Sequence, residues 1–139
     1  MKRWLDPDRW GMGLSLLCVA HCLAAPILFA LLPALGLALH SFRDPLRPVS
    51  IALLRLEGWH ATLVLATLAF AATSLALGWR RHRRWLPLAW LAAALVAFAL
   101  GLAARPMSGW LHALALSVGG VLTIRAHGLN RRYRRARPA

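Results

Sequence analysis

The chain has 139 residues, 60% of them hydrophobic and 15% charged, with 17 Lys and Arg against 4 Asp and Glu for a formal charge of +13. A soluble domain is about 45–50% apolar and about 25% charged, so this composition excludes an ordinary one. The charges are also segregated: none falls within residues 10–42, 58–79, 85–104 or 106–124, runs of 33, 22, 20 and 19 residues.

A hydrocarbon core about 30 Å thick takes roughly 20 apolar residues per helix. The four runs therefore predict an all-α integral membrane protein, a four-helix transmembrane bundle. So short a chain cannot wrap four apolar helices in protein. The first run is too long for a signal-peptide core and has no small-residue cleavage site at the usual distance. Barrel strands would be shorter and alternating. The expected organisation is a four-helix domain over residues 8–133 followed by a basic tail, 134–139.

The first span carries the sharpest feature, Cys18-Val19-Ala20-His21-Cys22. Both cysteines of the chain are here, one helical turn apart on one face, with Gly11 and Ser15 continuing the stripe as a packing face. A start near Trp10 puts them roughly 12 and 18 Å into the helix, near the membrane centre. Beta-carbons at this spacing stand about 5–6 Å apart, more than the 3.5–4.5 Å of a disulfide. A metal fits better: two bonds of about 2.3 Å span roughly 4.6 Å, and soft thiolates select Cu(I), Zn(II) or Hg(II). Packing by two small hydrophobes is the competing reading. Pro26 lacks the N–H that would pair with the Cys22 carbonyl, so a kink is expected there. His21 is a candidate ligand or proton acceptor, or a polar group bonded to another helix.

Between the first two spans Pro33, Pro45 and Pro48 discourage a continuous helix, and Ser50 is the expected cap of the stretch leading into the second. His60 opens the second span, on or near a face with Thr67, Ala71, Ser74 and Gly78. The third has no buried ionisable group and reads as packing. In the fourth, Ser108, His112, Ala115 and Gly119 form a comparable stripe. His60 and His112 thus both fall toward the outer side, where they suit a haem iron, an ion path or snorkelling to headgroups. His127 and Asn130, three apart, face one partner if the last helix extends past Ile124; a polar helix terminus is the plainer alternative. The short links 80–84 and 105–106 predict that spans 2 and 3, and spans 3 and 4, are antiparallel neighbours.

Basic residues orient the bundle. With the N-terminus cytoplasmic, thirteen Lys and Arg fall in inner segments and four (Arg43, Arg47, Arg55 and Arg105) in outer ones. Short basic loops stay inside, so both termini are expected in the cytoplasm. Anionic lipid explains the basic tail better than nucleic acid does. Trp10, Trp79 and Trp85 then mark the inner interface, and Trp59 and Trp110 the outer one.

Asp8-Arg9-Trp10-Gly11, Ser15-Leu16-Leu17-Cys18, His21-Cys22, Pro26 and Leu31-Leu32-Pro33 together resemble the first helix of the MerC mercury-resistance family. Trp59-His60, Gly78, His82, Gly119, Ala126-His127 and Asn130 follow that pattern in order. The resemblance covers about residues 8 to 133. It implies four helices in the bacterial inner membrane and uptake of Hg(II) as substrate by thiols at Cys18 and Cys22, with no tightly bound cofactor. Mercury-operon members carry further cysteines near the cytoplasmic end; here there are none, and Tyr133 stands near that place. Handover would then pass to glutathione or a metal-accepting protein. His21, His60, His112 and His127 are the accessory candidates. Self-association is plausible for so few helices. The alternatives are a haem-binding electron carrier and a membrane protein of other, non-catalytic function. A proton-coupled multidrug exporter would need an intramembrane carboxylate, which the spans as read lack, and no hydrolytic or transferase constellation is visible.

Overall fold

A computed structural model describes residues 6–40 and 43–136. The basic residues Lys2, Arg3 and Arg137, used above for orientation, lie outside the described residues. Six helices are present: α1 (Pro7–Leu31), α2 (Pro33–Ala38), α3 (Arg47–Gly58), α4 (His60–His82), α5 (Leu86–Ala104) and α6 (Gly109–Ala136). Four helical stretches are long and apolar enough to cross a membrane: α1, the joined α3 and α4, α5 and α6.

Local chemistry sets the ends. Asp6 caps α1, its carboxylate accepting from the Asp8 N–H at 3.2 Å, with Pro7 in the first turn. There a missing N–H costs nothing and the ring fixes a helical φ. The helix runs through Pro26 and stops before Pro33, which disfavours helical geometry in the residue ahead of it. Asp44 accepts from the Leu46 N–H at 2.8 Å, a local turn that leads into α3. Ser50 is not the expected cap. It lies inside α3, its hydroxyl donating back to the Leu46 carbonyl at 3.1 Å, because Pro48 falls in the tolerant first turn and the helix starts earlier. Only Trp59 separates α3 from α4. Arg83 closes α4 with a left-handed φ of 55°.

At 28 residues α6 is about 42 Å long, longer than the hydrocarbon core, and its excess carries Arg131, Arg132, Arg134 and Arg135. It is also the hub. Its largest interface is with α5, the next with α1, and it touches α4 as well. The expected pairing of the third and fourth spans is thus the main interface, while α4 and α5 meet over a much smaller one. Close approach depends on small residues, as is usual between membrane helices. A β-carbon at Gly119 would strike the Phe98 ring, and one at Gly101 the Leu116 side chain.

Two apolar clusters fill the interior. Cys18, Cys22, Val64, Ala94, Phe98 and Leu116 form one, and Ala71, Leu75, Leu91 and Ala126 the other. The outward faces are apolar too: Leu16, Leu65, Leu77, Val96 and Leu100 are exposed, as lipid-facing positions should be. Trp10 and Trp85 project at the end carrying the chain termini, and Trp59 and Trp110 at the opposite end. That matches the two interfaces expected of them.

Candidate metal site and polar clusters

The helical repeat of α1 brings Cys18 and Cys22 onto its buried face, each 1% exposed. Both are free thiols, 4.0 Å apart and not a disulfide. Thr67 of α4 is buried and lies beside Cys18. One turn before Cys18, Ser15 donates to the Gly11 carbonyl at 2.8 Å and is thereby satisfied within its own helix.

Three imidazoles from three helices adjoin the thiols. The rings of His21 and His60 stand 4.7 Å apart, and those of His60 and His112 5.2 Å apart, both edge to face. His60 and His112 are buried, and His21 is partly so. His112 Nδ1 lies 2.7 Å from the Gly101 carbonyl, which can only accept, so Nδ1 carries the proton. The lone pair of neutral His112 is then on Nε2, a buried atom with no partner among the described residues. A ligating histidine is typically oriented in this way by a carbonyl on its other nitrogen.

A pocket of about 390 Å³ opens beside this cluster, at the end of the bundle opposite the chain termini. Cys22, Pro26, Phe29, His60, Trp110 and His112 are among its walls. Cys18 is not among them and sits one turn deeper. Because Pro26 has no N–H, the Cys22 carbonyl lacks its regular helical donor next to the pocket.

Among the described residues no group of three or more His, Cys, Asp or Glu side chains is placed to hold one metal ion. The two thiols would have to part from 4.0 Å to roughly 4.6 Å to hold an ion of linear preference between them. The haem alternative gains nothing. Two histidines that ligate one iron must face each other across a porphyrin, and His60 and His112 are instead in ring contact.

His127 is not brought to the thiols. It belongs to a second cluster at the end bearing the termini, centred on Asp8, whose side chain is fully buried. Asp8 Oδ1 accepts from Ser74 Oγ at 3.1 Å, His127 Nδ1 at 3.1 Å and Asn130 Nδ2 at 2.8 Å, and Oδ2 from Arg134 at 3.0 Å. His82 extends the network. Its Nδ1 accepts from the Arg84 N–H at 3.0 Å, so its Nε2 donates to Asn130 Oδ1 at 2.8 Å. His127 and Asn130 therefore do share one partner, on a helix that continues past Ile124. The partner itself, Asp8, was not anticipated from the sequence, and neither was the pocket, although the sequence places Thr67 near the His60 face, Pro26 beside the thiols and Trp110 at the outer end. The signal for Asp8 was present: two of the chain's four acids, Asp6 and Asp8, stand at the start of one apolar helix.

Four helices long and apolar enough to span a membrane, around a buried core and with a pocket that has Cys22 in its wall, define a multi-pass membrane protein. The family model described as MerC mercury resistance protein matches residues 8–132. The chain belongs to that family, a membrane family associated with mercury resistance and transport rather than with catalysis. Searches among curated proteins and among solved structures return no match.

Proposed function

We propose that this protein carries Hg(II) across the bacterial inner membrane, with both termini in the cytoplasm, by binding the ion between Cys18 and Cys22. The observation that carries the reading is the pairing of two buried free thiols on one helix face with a pocket that has Cys22 in its wall. His112, with its lone pair on Nε2, and His60 beside it draw the ion from the outer side one contact at a time. The ion then passes to Cys22 and Cys18 as thiolates, and His21 takes up a released proton. Each thiol loses its proton as its bond to mercury forms, so ion binding supplies the energy of deprotonation. Without an inner cysteine pair, release occurs by ligand exchange to a cytoplasmic thiol such as glutathione or to a metal-accepting protein.

The test is titration of the reduced, detergent-solubilised protein with Hg(II) against a competing thiol, beside a Cys18→Ser, Cys22→Ser double variant. One tight equivalent, absent from the variant, is expected. Equal weak binding by both proteins would leave the cysteines as packing residues and end the thiol mechanism.

A further inference from the structure

The two ends of the bundle are built differently. At the end opposite the termini the pocket reaches Cys22. At the other end the same three helices that surround the thiols, α1, α4 and α6, are tied together through one carboxylate. Asp8 of α1 takes hydrogen bonds from Ser74 of α4 and from His127, Asn130 and Arg134 of α6. Asp8, His127 and Asn130 are fully buried, and Ser74 nearly so. Two glycines make the closure tight. A β-carbon at Gly11 would run into the His127 ring, and one at Gly78 into the Asn130 amide. Asp8 lies ten residues before Cys18, about 15 Å along the helix, between the thiols and the end bearing the termini.

We propose that the Asp8 cluster is an inner gate, shut in this structure while the opposite end is open to Cys22. The proposal rests on the reading that the thiols pass an ion toward the end with the termini. An ion leaving Cys18 in that direction must cross the layer where Asp8 joins α1 to α4 and α6. A polar closure suits the task. Dry, Asp8 and its donors from Ser74, Asn130 and Arg134 are satisfied, His127 keeps only its Nε2 without a partner among the described residues, and the packing excludes water. Once α1 shifts and water enters, the same groups are solvated instead of stranded. An apolar plug would gain nothing from water and would resist opening. Asp8 makes no contact with the thiols; it acts by holding α1 in place.

The experiment reads thiol accessibility from each side. Right-side-out and inside-out membrane vesicles are treated with a small, charged, membrane-impermeant methanethiosulfonate. Cleavage of a C-terminal tag reports which side carries the termini, and mass spectrometry quantifies modification of Cys18 and Cys22. In the unaltered protein, labelling is expected from the pocket side only. Asp8→Asn, similar in shape but without the charge that pairs with Arg134, should label from the side of the termini at least tenfold faster than the unaltered protein. Ser74→Ala should give a smaller increase. Labelling of Asp8→Asn from that side at the unaltered rate overturns the gate, as does an unaltered protein that labels equally from both sides. If Asp8→Asn fails to accumulate in the membrane, Ser74→Ala and Asn130→Ala decide: labelling from the side of the termini above the unaltered rate supports the gate, and labelling at the unaltered rate overturns it. Mercury is not used, so failure of mercury binding and failure of the gate are separate results.

Discussion

His112 and Gly101 meet at 2.7 Å, imidazole Nδ1 to backbone carbonyl, across the α5–α6 interface. The carbonyl is available because α5 is ending: the Arg105 N–H turns to Leu102 instead of to Gly101. A helix end leaves carbonyls without intrahelical donors, and here one of them fixes the tautomer of a histidine in the pocket wall.

If that ring assists ion capture, replacing it should slow capture without removing the site. His112→Leu is expected to keep one Hg(II) equivalent while lowering the rate of thiolate–mercury formation on the order of tenfold, in line with losses on removing outer partners of metal sites. Stopped-flow ultraviolet absorption measures it. An unchanged rate would leave His112 a packing residue.

Cys18 and Cys22 should act as a unit. Groups sharing one ligand are strongly non-additive, so Cys18→Ser alone should lose nearly all the mercury affinity that the double variant loses. Two independent sites would instead give roughly half the stoichiometry for each single variant, which competition titration distinguishes. Both single variants should remain folded, since a buried free cysteine is mainly a small hydrophobe.

Removing the Asp8 side chain strands four donors. Asp8→Ala is expected to cost about 3–5 kcal/mol, the range for breaking one partner out of a buried charged network. Asp8→Asn should cost less because its carbonyl oxygen still accepts. Graded denaturation in mixed micelles, followed by circular dichroism, ranks the two variants, and equal stability would show the network to be energetically idle.

The glycines give an internally controlled comparison. Gly119→Ala drives a β-carbon into Phe98, whereas Gly13→Ala points into open space. The first should destabilise the bundle by about 1–3 kcal/mol through overpacking, and the second should be neutral or slightly stabilising, since alanine favours helix. The same micelle assay reads both.

Much of this was written in the sequence, and the remainder has physical reasons for being hidden. The four spans follow from hydropathy alone, because a bilayer demands a length of apolar chain and little else. The i, i+4 spacing put both cysteines on one face, and the placement of His60 and His112 near span ends brought them to the same side. His21 in contact with His60 could not be foreseen, since the contact depends on how α1 is rotated against α4. Asp8 was hidden for a similar reason: an acid at a helix start is already accounted for by the helix dipole, and its burial arises only when α4 and α6 converge on it. The importance of the α1–α6 interface was equally invisible, because short loops predict sequential neighbours and say nothing of the first helix meeting the last.

The central place of α6 has a consequence for biogenesis. This helix is synthesised after α1, α4 and α5, yet all three pack against it. Until it arrives, Asp8 has lost three of its four hydrogen-bond donors, and Phe98 has no Gly119 to rest on. The nascent chain must therefore wait in the membrane as a loose set of helices, with a bare carboxylate near the lipid boundary. A chain that stops before α6 lacks the element against which the other spans pack, and it should be the form most open to degradation.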